Sequence, residues 1–273
     1  MRIIKYPIDE TYFQVIDTER KAYFLGLLYA DGSMSKEHYH SLKIILQKRD
    51  LHILEELRKD IQPTKPFYYI KNGKYIGLDF TNKYLYSDLV ELGCIPNKTH
   101  KLVFPTIDQK LIHHFIRGYY DGDGCLTGSF QKKYKINRVK KWKWSIVSTE
   151  SFCKSVQNLI TVHSKIDCRH PTHNNSTRNL NVCGRENIFN LLNFLYKDAT
   201  VFLQRKFDKY QEFLDEYQKA KELVSVRRLF TNAQIQEIRI KYITKKYTYA
   251  QLAKEYNCHK DTIRKLIKKL QYK

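Results

Sequence analysis

The sequence is short of acid. Against 49 lysines and arginines stand only 28 aspartates and glutamates, which leaves a net charge of +21 over 273 residues. Solubility needs far less. A composition rich in Lys, Ile, Asn and Tyr also follows from an A/T-rich coding sequence, so charge alone does not identify a partner, but it favours a polyanion. No apolar run approaches the ~20 residues of a membrane span, which sets a membrane function aside. The opening residues MRIIKYPIDE hold no apolar signal core. The six cysteines (Cys94, Cys125, Cys153, Cys168, Cys183 and Cys258) contain no CxxC pair and no regular framework. The expectation is a reduced, intracellular protein, in the cytoplasm of a bacterial or phage-infected cell or in an organelle. Cys168, His170, His173 and Cys183 have zinc-ligand chemistry but irregular spacing, and they read as a polar loop. The length suits one large domain or two smaller ones with a substantial core.

What the sequence does contain is an internal repeat. The segment KAYFLGLLYADGSM, Lys21 to Met34, matches FIRGYYDGDGC, Phe115 to Cys125, at a constant offset of 92 residues. Gly26 aligns with Gly118, Ala30 with Gly122, Asp31 with Asp123 and Gly32 with Gly124. Each copy leads into a strand-like and then a helix-like stretch: HSLKIILQKRDLHILEELRKDI in the first case, KKWKWSIVSTESFCKSVQNLI in the second. Trp142, Trp144 and Ile146 alternate with Lys141, Lys143 and Ser145, giving one apolar face and one that can meet a polyanion. Parity is weaker in Leu42-Lys43-Ile44-Ile45-Leu46, so the faces of that strand stay open. Further strands in KYIGLDFTN and RNLNVCG precede helices in KYLYSDLVELG and ENIFNLLNFLY. Each half therefore reads helix, strand, strand, helix, strand, strand, helix. The fold class is α+β.

Beyond about residue 218 the character changes. QKAKELVSVRRL reads as a charged helix end running into a linker, and three short amphipathic helices follow. Leu252, Ala253 and Tyr256 mark the second helix; Ile263, Leu266 and Ile267 mark the third; Asn257-Cys258-His259 breaks between them. Residues 221–273 carry 14 Lys and Arg against 4 Asp and Glu, a charge of +10. A protein-binding helical bundle would account for the pattern, but the charge favours DNA. A helix-turn-helix would read it with His259, Lys260, Asp261, Thr262, Arg264 and Lys265 at the start of its second helix. The expected domains are 1–107 and 108–218 for the two halves, 219–229 for a linker, and 230–273 for a small all-α helix-turn-helix unit.

Residues four apart share a helix face, so Gly26 with Ala30 and Gly118 with Gly122 form strips of small residues that let two backbones approach. Close packing there would bring Asp31 and Asp123 together at two helix C-termini, where they repel each other and the helix dipoles. A divalent cation reverses that sign, and oxygen ligands beside phosphate suit Mg²⁺. Gly32 and Gly124 are expected to end the helices in a left-handed conformation.

These two segments resemble the paired LAGLIDADG motifs of single-chain homing endonucleases. Lys21-Ala22-Tyr23, Ile116-Arg117-Gly118, Gln47-Lys48, Gly93 to Thr99 and LQRKFDKY (Leu203 to Tyr210) extend the likeness over residues 15–215. Tyr29 departs from the pattern, standing where the other copy has Asp121. The resemblance implies a pseudo-twofold saddle of two αββαββα halves with a sheet from each in the major groove. It implies Mg²⁺, with Mn²⁺ able to substitute, held by Asp31 and Asp123 and the carbonyls of Ala30 and Gly122. It implies a monomer that cuts both strands of a long asymmetric DNA target across the minor groove, leaving 3′ overhangs. Lys83 and Arg185, at matching places before the last helix of each half, are the expected basic participants, with Gln47 and Lys48 for water and phosphate. Lys43, Lys132, Lys133, Lys135, Arg138, Lys141 and Lys143 are expected to contact DNA. Two other readings remain open: an intron RNA maturase, and a DNA-binding regulator that does not cut.

Overall fold

The computed structural model describes residues 6–36, 40–130, 140–226, 230–244 and 247–268. The chain divides into two compact units, Met1–Tyr217 and Gln218–Lys273.

The first unit contains the doubled pattern. One half runs α1 (Glu19–Asp31), β1 (Gly32–Ser35), β2 (Ser41–Gln47), α2 (Leu51–Ile61), β3 (Tyr68–Ile70), β4 (Tyr75–Thr81) and α3 (Lys83–Glu91). The other runs α4 (Ile112–Asp123), β5 (Cys125–Ser129), β6 (Lys141–Ser148), α5 (Glu150–Ser164), β7 (Thr172–Asn174), β8 (Thr177–Cys183) and α6 (Arg185–Leu195). The strands form two antiparallel four-stranded sheets of the same order, β1-β2-β4-β3 and β5-β6-β8-β7.

Each sheet buries one face. On β2, Leu42, Ile44 and Leu46 point inward while Lys43, Ile45 and Gln47 are exposed, which settles the faces that parity left open. On β6, Trp142, Trp144 and Ile146 are buried, Trp144 stacking on Tyr120 with ring centroids 5.5 Å apart. These aromatics belong to the core rather than to a surface that stacks on bases. Helices α2 and α3 cover the apolar face of the first sheet, and α5 and α6 that of the second.

A helix α7 (Gln204–Val226) follows α6. Its first turns close the core of this unit through Phe213 and Tyr217, and the Tyr217 hydroxyl donates to Glu186 at 2.7 Å. The helix occupies residues as far as 226, so the stretch 219–226 expected as linker is helical.

The second unit has its own small core of Phe230, Ile238, Leu252, Ala253, Ile263 and Ile267. Its helices are α8 (Asn232–Ile243), α9 (Tyr249–Glu255) and α10 (Lys260–Lys268). Thr231 with Gln234 and Thr248 with Gln251 form capping boxes that fix where α8 and α9 begin. Between α9 and α10, Asn257 takes a positive φ of 47°, and the Cys258 N–H donates to the Ala253 carbonyl at 2.9 Å. The chain therefore turns sharply at the expected break.

Candidate functional site

Helices α1 and α4 run parallel and in direct backbone contact, because glycine leaves no side chain between them. A methyl group placed on Gly26 would overlap the Phe115 carbonyl oxygen and lie 2.9 Å from the Tyr119 nitrogen. One on Gly118 would overlap the Tyr23 carbonyl oxygen and lie 2.9 Å from the Leu27 nitrogen. Further along, one on Gly122 would overlap Ala30 and lie 2.8 Å from Asp31 Oδ2. The contacts advance together along both helices, so their C-terminal ends meet. Asp31 and Asp123 are the last residues of those helices.

Arg117 and Glu19 lock the same pair at its other end. The Arg117 guanidinium is fully buried and donates to Glu19 at 2.7 Å and to the Leu195 carbonyl at 2.7 Å. Glu19 also accepts from the Thr200 N–H at 2.6 Å and its hydroxyl at 2.7 Å. A buried charge is tolerated only when it is paired and hydrogen-bonded, as this one is.

The helices do not end as the sequence suggests. Gly32 has φ −73° and ψ 144°, and Gly124 has φ −89° and ψ 167°, extended conformations rather than left-handed ones. Glycine is needed there for closeness. A methyl on Gly32 would lie 2.5 Å from the Leu28 carbonyl oxygen, and one on Gly124 would lie 2.5 Å from that of Tyr120.

A lysine reaches each of these glycines. Lys98 donates to the Gly32 carbonyl, and Lys206 donates to the Gly124 carbonyl and to that of Tyr120 at 3.3 Å. Each aspartate is thus followed by a residue whose carbonyl holds an ammonium group. Burial lowers the pKa of both lysines. Burial and the neighbouring Asp123 raise the Asp31 carboxyl from 3.8 to about 6, against the pull of Lys98, Arg205 and Lys206. Asp123 is solvent-accessible, yet the protein crowded around it raises its carboxyl too, against Lys98 and Lys206. Asp123, Ala30 and Lys98 line a cavity of about 240 Å³ with Tyr119, Val147 and Ser148.

Asp121 and Tyr29 hold equivalent places and do equivalent work by different means. Buried Asp121 accepts from the Tyr23 hydroxyl at 2.8 Å and from the Leu203 N–H at 2.7 Å, three residues before Lys206. Burial raises its carboxyl to about 6. Tyr29 donates to the Leu92 carbonyl, and Gly93 leaves space for its hydroxyl. Both residues tie a motif helix to the segment that brings in the lysine.

Lys83 and Arg185 are not placed with the carboxylates. Gly32, next to Asp31, pairs with Ile44, whereas Thr81 pairs with Ser41 three positions farther out, about 10 Å away at ~3.3 Å per residue. Lys83 lies beyond Thr81, exposed in the first turn of α3. In the other half Cys125 pairs with Ser145, Cys183 pairs with Lys143 farther out, and Arg185 follows, donating to the Lys140 carbonyl at 3.4 Å. The two basic residues do match each other, but at the outer ends of their sheets. Gln47 is the last residue of β2 at the end nearer Asp31, on the exposed face, and Lys48 follows it. Lys43, Lys141 and Lys143 are exposed on the open faces, while Lys132, Lys133, Lys135 and Arg138 lie outside the described residues. In the second unit His259, Lys260 and Arg264 are exposed at the start of α10 and Thr262 is half-buried. Arg264 pairs with Asp261 at 3.1 Å; for Lys265 the backbone alone is described, within α10.

The donor set at the seam suits a hard divalent cation. Two carboxylates with raised pKa gain most from one. The Ala30 and Gly122 carbonyls are in the last helical turn, where no N–H four residues on continues the helix. Among the described residues no group of three or more His, Cys, Asp or Glu is arranged to hold a metal. A cation at the seam would therefore complete its shell with carbonyl, water or ligand oxygens.

By sequence the chain matches no family model and no curated protein. Solved structures do match. I-LtrWI, a LAGLIDADG homing endonuclease bound to target DNA, is 14% identical with a TM-score of 0.54, over 88% of this chain and 99% of that one. The fold is that of the LAGLIDADG homing endonucleases. The LAGLIDADG meganuclease I-AabMI, bound to uncleaved DNA, is 11% identical with a TM-score of 0.52, over 73% and 91% of the two chains. I-SmaMI, bound to an uncleaved DNA target in the presence of calcium, is 14% identical with a TM-score of 0.51, over 82% and 97%. Within the LAGLIDADG fold, Asp31 and Asp123 end the two motif helices.

Proposed function

We propose that the protein is a site-specific homing endonuclease that hydrolyses one phosphodiester bond on each strand of double-stranded DNA, leaving 3′ overhangs. The convergence of Asp31 and Asp123 at a glycine-packed seam, each with a lysine on the adjacent carbonyl, carries this reading. Scissile phosphates of opposite strands approach each other across the ~6 Å minor groove, so a single seam serves both strands. The similar structures, of proteins bound to DNA, support a DNA substrate.

Asp31 and Asp123, with the carbonyls of Ala30 and Gly122, would hold Mg²⁺, or Mn²⁺ in its place. Bound there, the metal supplies a nucleophilic water at neutral pH and charge neutralisation for the phosphate. Lys98 and Lys206 bring positive charge to the two sides of the seam, where negative charge grows on the phosphate during hydrolysis. Their burial strengthens that effect by excluding water. Gln47, at the inner end of β2, would orient water or a phosphate oxygen. Replacing Lys98 or Lys206 with alanine is expected to lower the single-turnover cleavage rate about 100-fold while changing DNA affinity little. A loss of affinity without a change in rate would assign them to binding alone.

Both halves lie in one chain, so a monomer suffices and the target can be asymmetric. The basic helices of the second unit would bind flanking DNA as a helix-turn-helix and tether the cutting unit, raising its local concentration at the site. Deleting residues 221–273 is expected to weaken binding and its salt dependence while cleavage persists at high enzyme concentration. Complete loss of cleavage at every concentration would contradict the tether. The reading as a whole is tested with a plasmid library carrying random inserts: Mg²⁺ and the full chain should yield linear product from a discrete subset, and no linear product would refute it.

A further inference from the structure

The two open sheet faces differ in chemistry, position by position. Next to the seam on the first sheet, Ile45 pairs with Gly77, which pairs with Tyr68, and Gln47 pairs with Tyr75, which pairs with Ile70. The Tyr68 ring lies directly over Gly77, where any side chain would collide with it. Ile45 is 38% exposed. The result is an apolar platform of Ile45, Tyr68 and Ile70 beside the cutting centre. Farther out the only cation within the strands of this sheet is Lys43, which stands opposite Asp79, itself bound to Lys65 at 3.3 Å; exposed Lys36 and Lys83 lie at the outer end, Lys83 at the place that matches Arg185.

The second sheet has no such platform. The positions equivalent to Ile45, Gly77 and Tyr68 hold Val147, Asn179 and Thr172, and Ser145 with Asn181 stands where the first sheet has Lys43 with Asp79. Its outer end gathers Lys141, Lys143, Arg169 and Arg185 around a trough of about 810 Å³. Among the described residues these four have no acidic partner, whereas neighbouring Lys140 is held by Glu212 at 2.7 Å. Phosphate contacts supply affinity and its salt dependence; apolar contacts in the major groove favour the thymine methyl group.

We infer that the two halves divide the labour of recognition: the first sheet selects thymine methyl groups next to the cut, and the outer end of the second sheet anchors the DNA backbone by charge. The inference rests on the endonuclease reading and goes beyond it, since pseudo-symmetry alone would give both halves the same role. The polarity of the target follows from it. One half-site is rich in thymine close to the centre, and the other contributes most of the electrostatic binding energy.

The test begins by selecting duplexes bound by the full chain from a random library in Ca²⁺. In the retained duplexes, replacing the inner thymines of one half-site by uracil should weaken binding about four-fold per methyl removed, with no change in salt dependence. The double variant Ile45→Ser/Ile70→Ser should bind the thymine and uracil duplexes alike. Single changes of Lys141, Lys143, Arg169 or Arg185 to glutamine should each lower the slope of log Kd against log salt by about 1. Lys43→Gln should change that slope by a small fraction of this. Specific binding with equal slopes for both halves, or indifference to uracil in the wild type, would overturn the division of labour while leaving the endonuclease reading intact. If no duplex is retained, the endonuclease reading itself fails, and this inference with it.

Discussion

Asp31→Asn is expected to make the protein more stable and inactive at once. The Asp31 carboxyl is raised from 3.8 to about 6 by burial and by Asp123, so ionising it in the folded protein costs free energy. Because the folded pKa lies above the unfolded one, the wild type has its full stability below pH ~4 and loses part of it as pH rises through about 6. A shift of two pKa units corresponds to ~3 kcal/mol, and the partial exposure of the side chain reduces this to about 2. Asparagine cannot ionise. In metal-free buffer at pH 8 the variant should melt about 4–8 °C above the wild type, and near pH 4 the two should melt together. Adding Mg²⁺ should narrow the gap at pH 8 by stabilising the wild type alone. Cleavage by the variant should fall by about a thousandfold or more, since a charge needed for the reaction is gone. A residue of merely structural importance would move stability the other way. Lower stability for Asp31→Asn at pH 8 would therefore count against a strained carboxylate pair.

The second large effect belongs to the glycines. In Gly118→Ala the added methyl meets the Tyr23 carbonyl, and in Gly26→Ala that of Phe115, both backbone groups of a neighbouring helix that cannot rotate away. Helices α1 and α4 would have to separate, disturbing the core shared by the two halves. Each change should cost about 3–5 kcal/mol, lowering Tm by roughly 10 °C or more, or preventing soluble expression. Gly73→Ala provides the contrast. It adds the same methyl into open space, so only its positive φ of 79° opposes the change, and the cost should be about 1 kcal/mol. Similar melting temperatures for Gly118→Ala and Gly73→Ala would show that the helices are not in backbone contact.

Much of this arrangement was legible in the residues. The repeated small-xxx-small strip determines which helix faces meet, because only there can two backbones touch, and it carries Asp31 and Asp123 to one place. The αββαββα pattern of each half follows from apolar periodicity, and the helices of the second unit from their caps and spacing. The lysines of the seam were not legible by the same means. Lys98 and Lys206 lie 66 and 82 residues from the glycines whose carbonyls they reach, an unequal separation that hides them from a search at constant offset. Lys83 and Arg185 do sit at matching positions in the repeat, but strand register places both at the outer ends of their sheets. The segments Gly93 to Thr99 and Leu203 to Tyr210 held the usable signal, since each contains one of the seam lysines. The faces of β2 escaped for another reason: Ile45 is apolar yet exposed, so alternation of polarity fails where an apolar side chain belongs on the open face. Gly32 and Gly124 show that a glycine after a helix can answer a demand for space as well as one for a left-handed turn.

The account depends most on one carboxylate from each half acting at a shared centre. The direct measurement incubates supercoiled plasmids carrying a selected target with Mg²⁺ and wild-type, Asp31→Asn or Asp123→Asn protein, all shown to bind the target. Linear product from the wild type and none from either variant is the predicted result; linear product from both variants at the wild-type rate would contradict it.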